Sequence, residues 1–249
     1  MKLLTRSAEG IDVLPANVGA DEARRQFVRL FSHTACHHRR YEVFADFIAL
    51  VARELDVAGM ATQPGNDEYT RIRSRYSDTD FEQFHHLFEL MIRALERKHH
   101  DFLGSVFMEL ELGDSRMGQF FTPWELTKML AQLLRGDILA QLQDQPFVTF
   151  GEPASGAGGM VIAWADVMLE AGANPAEHLF ASCTDLDQLA ADMTYVQLSL
   201  LGIPAEVKTG NSLSQNIRQT RYTPVYYLNG WDFRLSTWEM LQALRKLVL

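Results

Sequence analysis

The chain has 249 residues, of which 47% are hydrophobic and 22% charged, with a net charge of −9. That is enough for one large or two small domains with a sizeable core. It excludes a surface that grips nucleic-acid phosphate all over, although a local basic patch or a partner can still supply positive charge. No apolar run approaches the ~20 residues a membrane span needs, and "MKLLTRSAEGIDVLP" lacks the apolar stretch of a signal peptide. Cys36 and Cys183 are the only cysteines, too few for a disulfide framework and suited to a reducing cytoplasm. Both read as buried small residues.

In chain order the first half reads as helical. "DEARRQFVRLFSHTACHH" spaces Phe27, Leu30 and Phe31 for one helix face, and "YEVFADFIALVARELDVA" does the same with Phe44, Phe47, Ile48, Val51 and Leu55. "QPGNDEYTRIRSRYSDTD" is polar and turn-rich, an expected loop or irregular link. "FEQFHHLFELMIRALERKHH" is a third amphipathic helix with Phe84, Leu87, Phe88, Met91 and Leu95 inward, and "DFLGSVFMELELGDSRMG" reads as helix then loop. "FTPWELTKMLAQLLRG" carries a helix start, with Thr122 as cap, Pro123 in the first position and Glu125 closing a capping box; Gly136 is the stop.

Beyond that point short apolar runs alternate with helices. The expected strands are "FVTF", "LFASCTD", "AEVKTG" and, after a polar connection, "PVYYL"; the last helix is "STWEMLQALRKLVL". Such alternation implies a parallel sheet with right-handed crossovers. The expected fold is α/β: an N-terminal helical region over 1–118, then a doubly wound sheet over 119–249.

The first strand runs into "GEPASGAGGM", which holds four glycines. Small residues let a ligand approach the backbone, and free N–H groups at the following helix favour an anion or carboxylate. The bland alternative is a tight turn. Neither the G-x-G-x-x-G dinucleotide spacing nor a Gly-Lys-Ser/Thr follows, so both nucleotide-phosphate readings fall. Ligands in such sheets sit outside the carboxyl ends of the strands, at a switch point. The second strand ends in Asp185, placed to take both hydroxyls of a ribose; Asp187 competes, although it can simply cap the next helix. The third ends in "KTGNSL", where Asn211 can read an adenine edge or serve as an ordinary Gly-Asn turn. Three consecutive strand tips are thus expected to converge on one nucleoside-shaped cleft.

"GQFFTPWEL", "EPASGAGGM", a strand ending in Asp185, and "GNSL", in this order and at these spacings, resemble the adenine-N6 DNA methyltransferases, and among them the modification subunits of type I restriction systems. The likeness covers roughly residues 100–230. It implies a Rossmann-like, C-terminally short methyltransferase sheet, S-adenosylmethionine as cofactor, and methyl transfer to an adenine amino group in DNA. By position, Phe121, Thr122 and Pro123 would border the methionine end of the cofactor. Glu152, Ala154, Gly156 and Gly158 would line the loop around it, Asp185 would hold the ribose, and Asn211 would meet the adenine. Glu152 stands where the family usually has Asp, and Ser155 and Ala157 replace the commoner Cys and Ser. Such methylation normally needs a separate recognition subunit, which the acidic charge also suggests.

The family places the target adenine with Asn-Pro-Pro-Tyr/Phe after the fourth strand, and this sequence has no Asn-Pro-Pro. In "PVYYLNGWDF", Asn229 would keep the acceptor role, the carbonyl of Gly230 would replace that of the first proline, and Trp231 or Phe233 would stack on the flipped base. An Asn-Gly turn is the plain alternative. Only a short C-terminal segment follows, so the sheet is expected to stop at its fourth strand, or a second chain covers its edge. A catalytically inactive relative that binds cofactor or a protein partner is the alternative function.

No metal site is expected: His33, Cys36 and His37 share a helix face, but no further ligand motif supports them. The pairs His37–His38, His85–His86 and His99–His100 read as solvated. "RRQFVRLF" and "RIRSRY" are locally basic with aromatics; they can touch DNA phosphate or simply face water.

Overall fold

The computed structural model describes residues 19–56, 67–113 and 121–248. The expectations for the N-terminal stretch and for Gly118, Gln119 and Phe120 lie outside the described residues.

The helical region forms along the phenylalanine stripes. Helix α1 (Ala20–His33) and α2 (Arg40–Leu55) bury Phe27 and Phe31 against Phe44 and Phe47. The turn between them is closed by Arg40, whose guanidinium donates to the carbonyls of Phe31 (2.9 Å), Thr34 (2.7 Å) and Ala35 (2.6 Å). These carbonyls lie in the last turn of α1 and just beyond it, where the helical i+4 bonding pattern stops. Part of the expected polar loop is a short helix, α3 (Asp67–Arg73). Helix α4 (Asp78–Arg97) starts from a capping box between Ser77 and Asp80, and buries Phe84, Leu87, Phe88, Met91 and Leu95. Helix α5 (Phe102–Glu109) is capped by Asp101.

Most arginines of the basic stretches are ion-paired within the chain. Arg24 pairs with Glu109, Arg25 with Glu22, Arg73 with Asp78, and Arg75 with Glu42 and Asp46. Cys183 is buried, but Cys36 is exposed, contrary to the expectation for it; neither is in a disulfide.

Helix α6 (Trp124–Leu134) begins one residue later than its sequence signal. Pro123 holds the cap position, and no side chain caps the helix. The expected Thr122–Glu125 box is therefore corrected; instead the Thr127 hydroxyl donates to the carbonyl of Pro123 (3.0 Å). Gly136 follows in the left-handed region (φ 53°), where glycine carries no Cβ penalty. A helix not read from the sequence, α7 (Ile138–Asp144), leads to the sheet.

Among the described residues the sheet has four strands in the order β1-β2-β3-β4: β1 (Val148–Glu152), β2 (Leu179–Asp185), β3 (Ala205–Asn211) and β4 (Asn216–Tyr222). The first three are parallel, joined through α8 (Gly159–Glu170), the single turn α9 (Pro175–His178) and α10 (Gln188–Leu200). Strand order never reverses, so the expected double winding and its switch point are absent among the described strands. One face carries Val148, Leu179, Ala181, Cys183, Ala205 and Val207, in register. It shares a continuous core with α8, α10 and the helical region, from Ala23 to Val207. The Tyr195 hydroxyl of α10 donates to the carbonyl of Leu55 at 2.9 Å, tying the sheet's helix to α2.

The fourth strand differs from expectation in identity and direction. "PVYYL" is helix α11 (Pro224–Leu228), with proline at its first turn. The polar segment before it is β4, antiparallel to β3. Only residues 212–215 separate the two strands, far short of the dozen or so a parallel crossover requires, so a hairpin is what the chain can make. Arg221 of β4 pairs with the buried Asp192 of α10 and pins the hairpin. Because β4 runs back, everything after it starts at the amino ends of β1–β3. There α12 (Trp231–Val248) sets Trp231 between Phe147 and Phe180, at centroid distances of 5.1 and 5.7 Å, on the sheet face away from the main core.

Candidate functional site

A cleft of about 270 Å³ opens at the carboxyl ends of β1 and β2. Its described lining includes Phe121, Thr122, Glu152, Ala154, Gly156 and Asp185 from the sequence expectation, together with Asp101, Ser155, Gly159 and Asp187.

The glycine loop is built around Asp185. One carboxylate oxygen accepts from the Gly156 N–H (2.8 Å), the other from the Asp187 N–H (2.9 Å). The Ser155 N–H donates to the carbonyl of Thr184 at the end of β2 (3.0 Å). Gly156 (φ 56°) and Gly158 (φ 89°) take left-handed backbone. A Cβ on Gly156 would stand 2.9 Å from the ring of Phe121, which closes over the loop and packs edge-on to Phe107. The residue identity at 156 thus follows from both dihedral and space. Asp187 does cap α10, accepting from the Ala190 N–H at 2.9 Å, which leaves Asp185 as the strand-end carboxylate of the cleft.

A second layer holds the loop from behind. Gln197, fully buried, donates to Asp101 Oδ1 (2.9 Å) and to the Ala157 carbonyl (2.7 Å), and accepts from the Leu103 N–H (3.0 Å). Thr194 donates to the Gly156 carbonyl (2.8 Å). Sequence reasoning missed Asp101, Thr194 and Gln197. For Thr194 and Gln197 the only hint is that they are polar residues inside the otherwise apolar "LDQLAADMTYVQLSLLG", where a buried amide implies partners; Asp101 carries no such hint.

Six expected residues are not in the described cleft lining: Asn211, Asn229, Gly230, Trp231, Pro123 and Gly158. Asn211 is exposed, and its Oδ1 accepts from the N–H groups of Leu213 and Ser214 (3.0 Å each), so it shapes the β3–β4 turn. Two strand tips converge on the cleft, not three. Asn229, Gly230 and Trp231 lie at the opposite pole of the sheet, which corrects the expected acceptor site. The Asn229 amide and the Trp231 indole N–H both donate to the carbonyl of Ala176, before β2 (3.0 and 3.3 Å), and Arg234 covers the Trp231 ring at 4.0 Å. The physical reason is the antiparallel return of β4. Pro123, at the cap of α6, adjoins the lining residue Thr122, and Gly158 stands behind the loop against Thr194.

The electrostatics are one-sided. Asp101, Glu152, Asp185 and Asp187 line the cleft, and no Lys, Arg or His does among the described residues. Burial raises the carboxyl groups of Asp101, Glu152 and Asp185 above their ordinary values; for Glu152 the neighbouring Asp185 charge adds to this, against the Ala154 N–H. Among the described residues no group of three or more His, Cys, Asp or Glu is arranged to hold a metal ion.

Glu152 makes this testable. A carboxyl raised on folding adds stability below the usual carboxylate range, near pH 4, and that stability is lost as pH rises through the raised value. At pH 7 the charged group therefore weakens the fold. Glu152→Gln keeps an acceptor for the Ala154 N–H, so without added cofactor it should unfold at higher urea than wild type at pH 7. The difference should vanish by about pH 4. Urea titrations at both pH values check this; a less stable variant at pH 7 contradicts it.

The family model described as N-6 DNA Methylase matches residues 105–229, half of the chain. No curated protein matches. Two solved structures are similar at 13% identity. A Listeria monocytogenes protein assigned to the class I S-adenosylmethionine-dependent methyltransferases gives a TM-score of 0.48, over 78% of this chain and 55% of that one. The methyltransferase subunit of a type I restriction-modification system from Streptococcus thermophilus gives 0.33, over 55% of this chain and 29% of that one. The chain thus spans about half the length of the first and under a third of the second. By the family match, this chain belongs to the N-6 DNA methylases.

Proposed function

We propose that the chain holds S-adenosylmethionine and acts in adenine-N6 methylation of DNA. The observation that carries the reading is a cleft with four carboxylates and no described basic side chain, beside a loop of small residues. Such a site repels nucleotide phosphates and attracts a cationic nucleoside. S-adenosylmethionine carries a sulfonium and an ammonium, and when bound it supplies an electrophilic methyl group. The residues present fit it. Asp185 takes the ribose hydroxyls, with its carboxylate fixed by two backbone N–H groups. Glu152, Ala154 and Gly156 border the methionine end, with Gly158 behind them shaping the loop, and Phe121 and Thr122, which Pro123 adjoins, wall it from water. Regions 1–118 and 119–249 act together in this reading, the first as the buttress of the second.

Asn229 bonds the Ala176 carbonyl away from the cleft, so in this reading the target adenine is placed by groups other than Asn229. The net charge of −9 and the internally paired arginines support a separate basic recognition subunit that carries the DNA contacts. Among the described strands β1 is paired on one side only, and Phe233, Met240, Leu244 and Leu247 of α12 are exposed; both support a further chain covering this flank. No described helix is long and apolar enough to cross a membrane, and we place the protein in the cytoplasm. A second reading, a cofactor-binding module without transfer, is favoured by the position of Asn229.

The test is tritium transfer from labelled cofactor to duplex DNA, with a candidate recognition subunit present. Transfer is expected, and Asn229→Ala should retain it within about twofold, as for a surface substitution. Loss of transfer in a stably folded Asn229→Ala would put the acceptor site back at that residue. Cofactor binding without any transfer would establish the second reading.

A further inference from the structure

Asp101 caps α5 and is only 4% exposed, yet it lines the cleft. Its Oδ1 accepts from the Gly104 N–H (2.8 Å) and from Gln197 (2.9 Å), which locks the carboxylate plane. Among the described residues no donor meets Oδ2. That oxygen lies over the first residue of α8: a Cβ on Gly159 would stand 3.2 Å from it. Asp185 thus meets the glycine loop at Gly156, and Asp101 meets it at Gly159. Asp101 as a residue is little exposed, so a charge on it is costly to leave without a counter-group, and no basic side chain among the described lining residues supplies one.

We propose that Asp101 Oδ2 accepts the α-ammonium of S-adenosylmethionine, so that a residue of the helical region reads the amino-acid end of the cofactor. The inference rests on the cofactor reading above. Of the cofactor's two cationic groups only the ammonium has N–H donors; the sulfonium has none, so an oxygen lacking a hydrogen-bond partner selects the ammonium. Burial also raises the Asp101 carboxyl, and a cation against it favours its charged form. Asp101 is a positioning and specificity residue in this scheme: it fixes the cofactor's tail while Asp185 fixes its ribose.

The experiment is calorimetric binding to the full chain, wild type and Asp101→Asn, of three ligands: S-adenosylmethionine, S-adenosylhomocysteine and 5′-methylthioadenosine, which lacks the amino-acid end. Asparagine keeps the Oδ1 acceptor for Gly104 and Gln197 and replaces only the free oxygen. The variant should lose roughly 10- to 100-fold for the first two ligands, the worth of one charged hydrogen bond, and keep methylthioadenosine within about twofold. Equal loss for all three, or no loss for any, overturns the proposal. Wild type alone supplies a check independent of variant folding: the deaminated analogue of S-adenosylhomocysteine should bind weaker by the same factor, and equal binding overturns the proposal. Failure of wild type to bind S-adenosylmethionine at all would instead remove the cofactor reading itself.

Discussion

Asp185→Ala should weaken binding of S-adenosylmethionine by roughly 100- to 10,000-fold. In the proposed complex a ribose diol would donate two hydrogen bonds to this carboxylate, and a hydrogen bond to a charged group is worth about 1.5–3 kcal/mol. Two together give about 3–6 kcal/mol, which is that range of affinity. The effect is large because the carboxylate is fixed in advance. Its oxygens already accept from Gly156 and Asp187, so little order is lost on binding. The alanine variant removes the acceptor of the Gly156 and Asp187 N–H groups and also a carboxylate that burial disfavours, so its fold is checked by circular dichroism first. Calorimetry on the folded variant checks this. Unchanged affinity would remove Asp185 from the site.

Gln197→Ala should cost about 4 kcal/mol of folding stability, near the top of what single substitutions do. The amide has no exposure and uses both N–H groups and its oxygen on three segments: the cap of α5, the glycine loop and the first turn of α5. Alanine strands a carboxylate, a carbonyl and an N–H in the core at about 1–3 kcal/mol each, partly relieved by water entering the space. Typical domains hold only about 5–15 kcal/mol in total. Chemical denaturation measures the loss, and a cost below about 1 kcal/mol would mean the bracing is dispensable.

The parts of the fold that were legible in the sequence are those with strong local patterning. "LFASCTD" is β2 residue for residue because its apolar residues Leu179, Phe180, Ala181 and Cys183 fall in one short run closed by Asp185, as in a strand covered on both faces. The phenylalanine stripes at 27, 31, 44, 47 and 84 all proved to be core. The hairpin was not legible as such: Ile217, Thr220 and Tyr222 suit a strand, but their polar neighbours masked the alternation. That single error displaced everything after it, since reversing β4 moves Asn229 from the carboxyl pole to the amino pole. Asp101 and Gln197 were hidden for a different reason. They lie 96 residues apart, and no local period reports a buried polar pair that only the folded chain brings together.

Titrating the full chain with S-adenosylmethionine and, separately, with ATP tests the central claim that an acidic, small-residue cleft selects a cationic nucleoside. Saturable one-to-one binding of S-adenosylmethionine, with none by ATP, is the result this account predicts. Binding of ATP in preference, or no binding of S-adenosylmethionine, would contradict it.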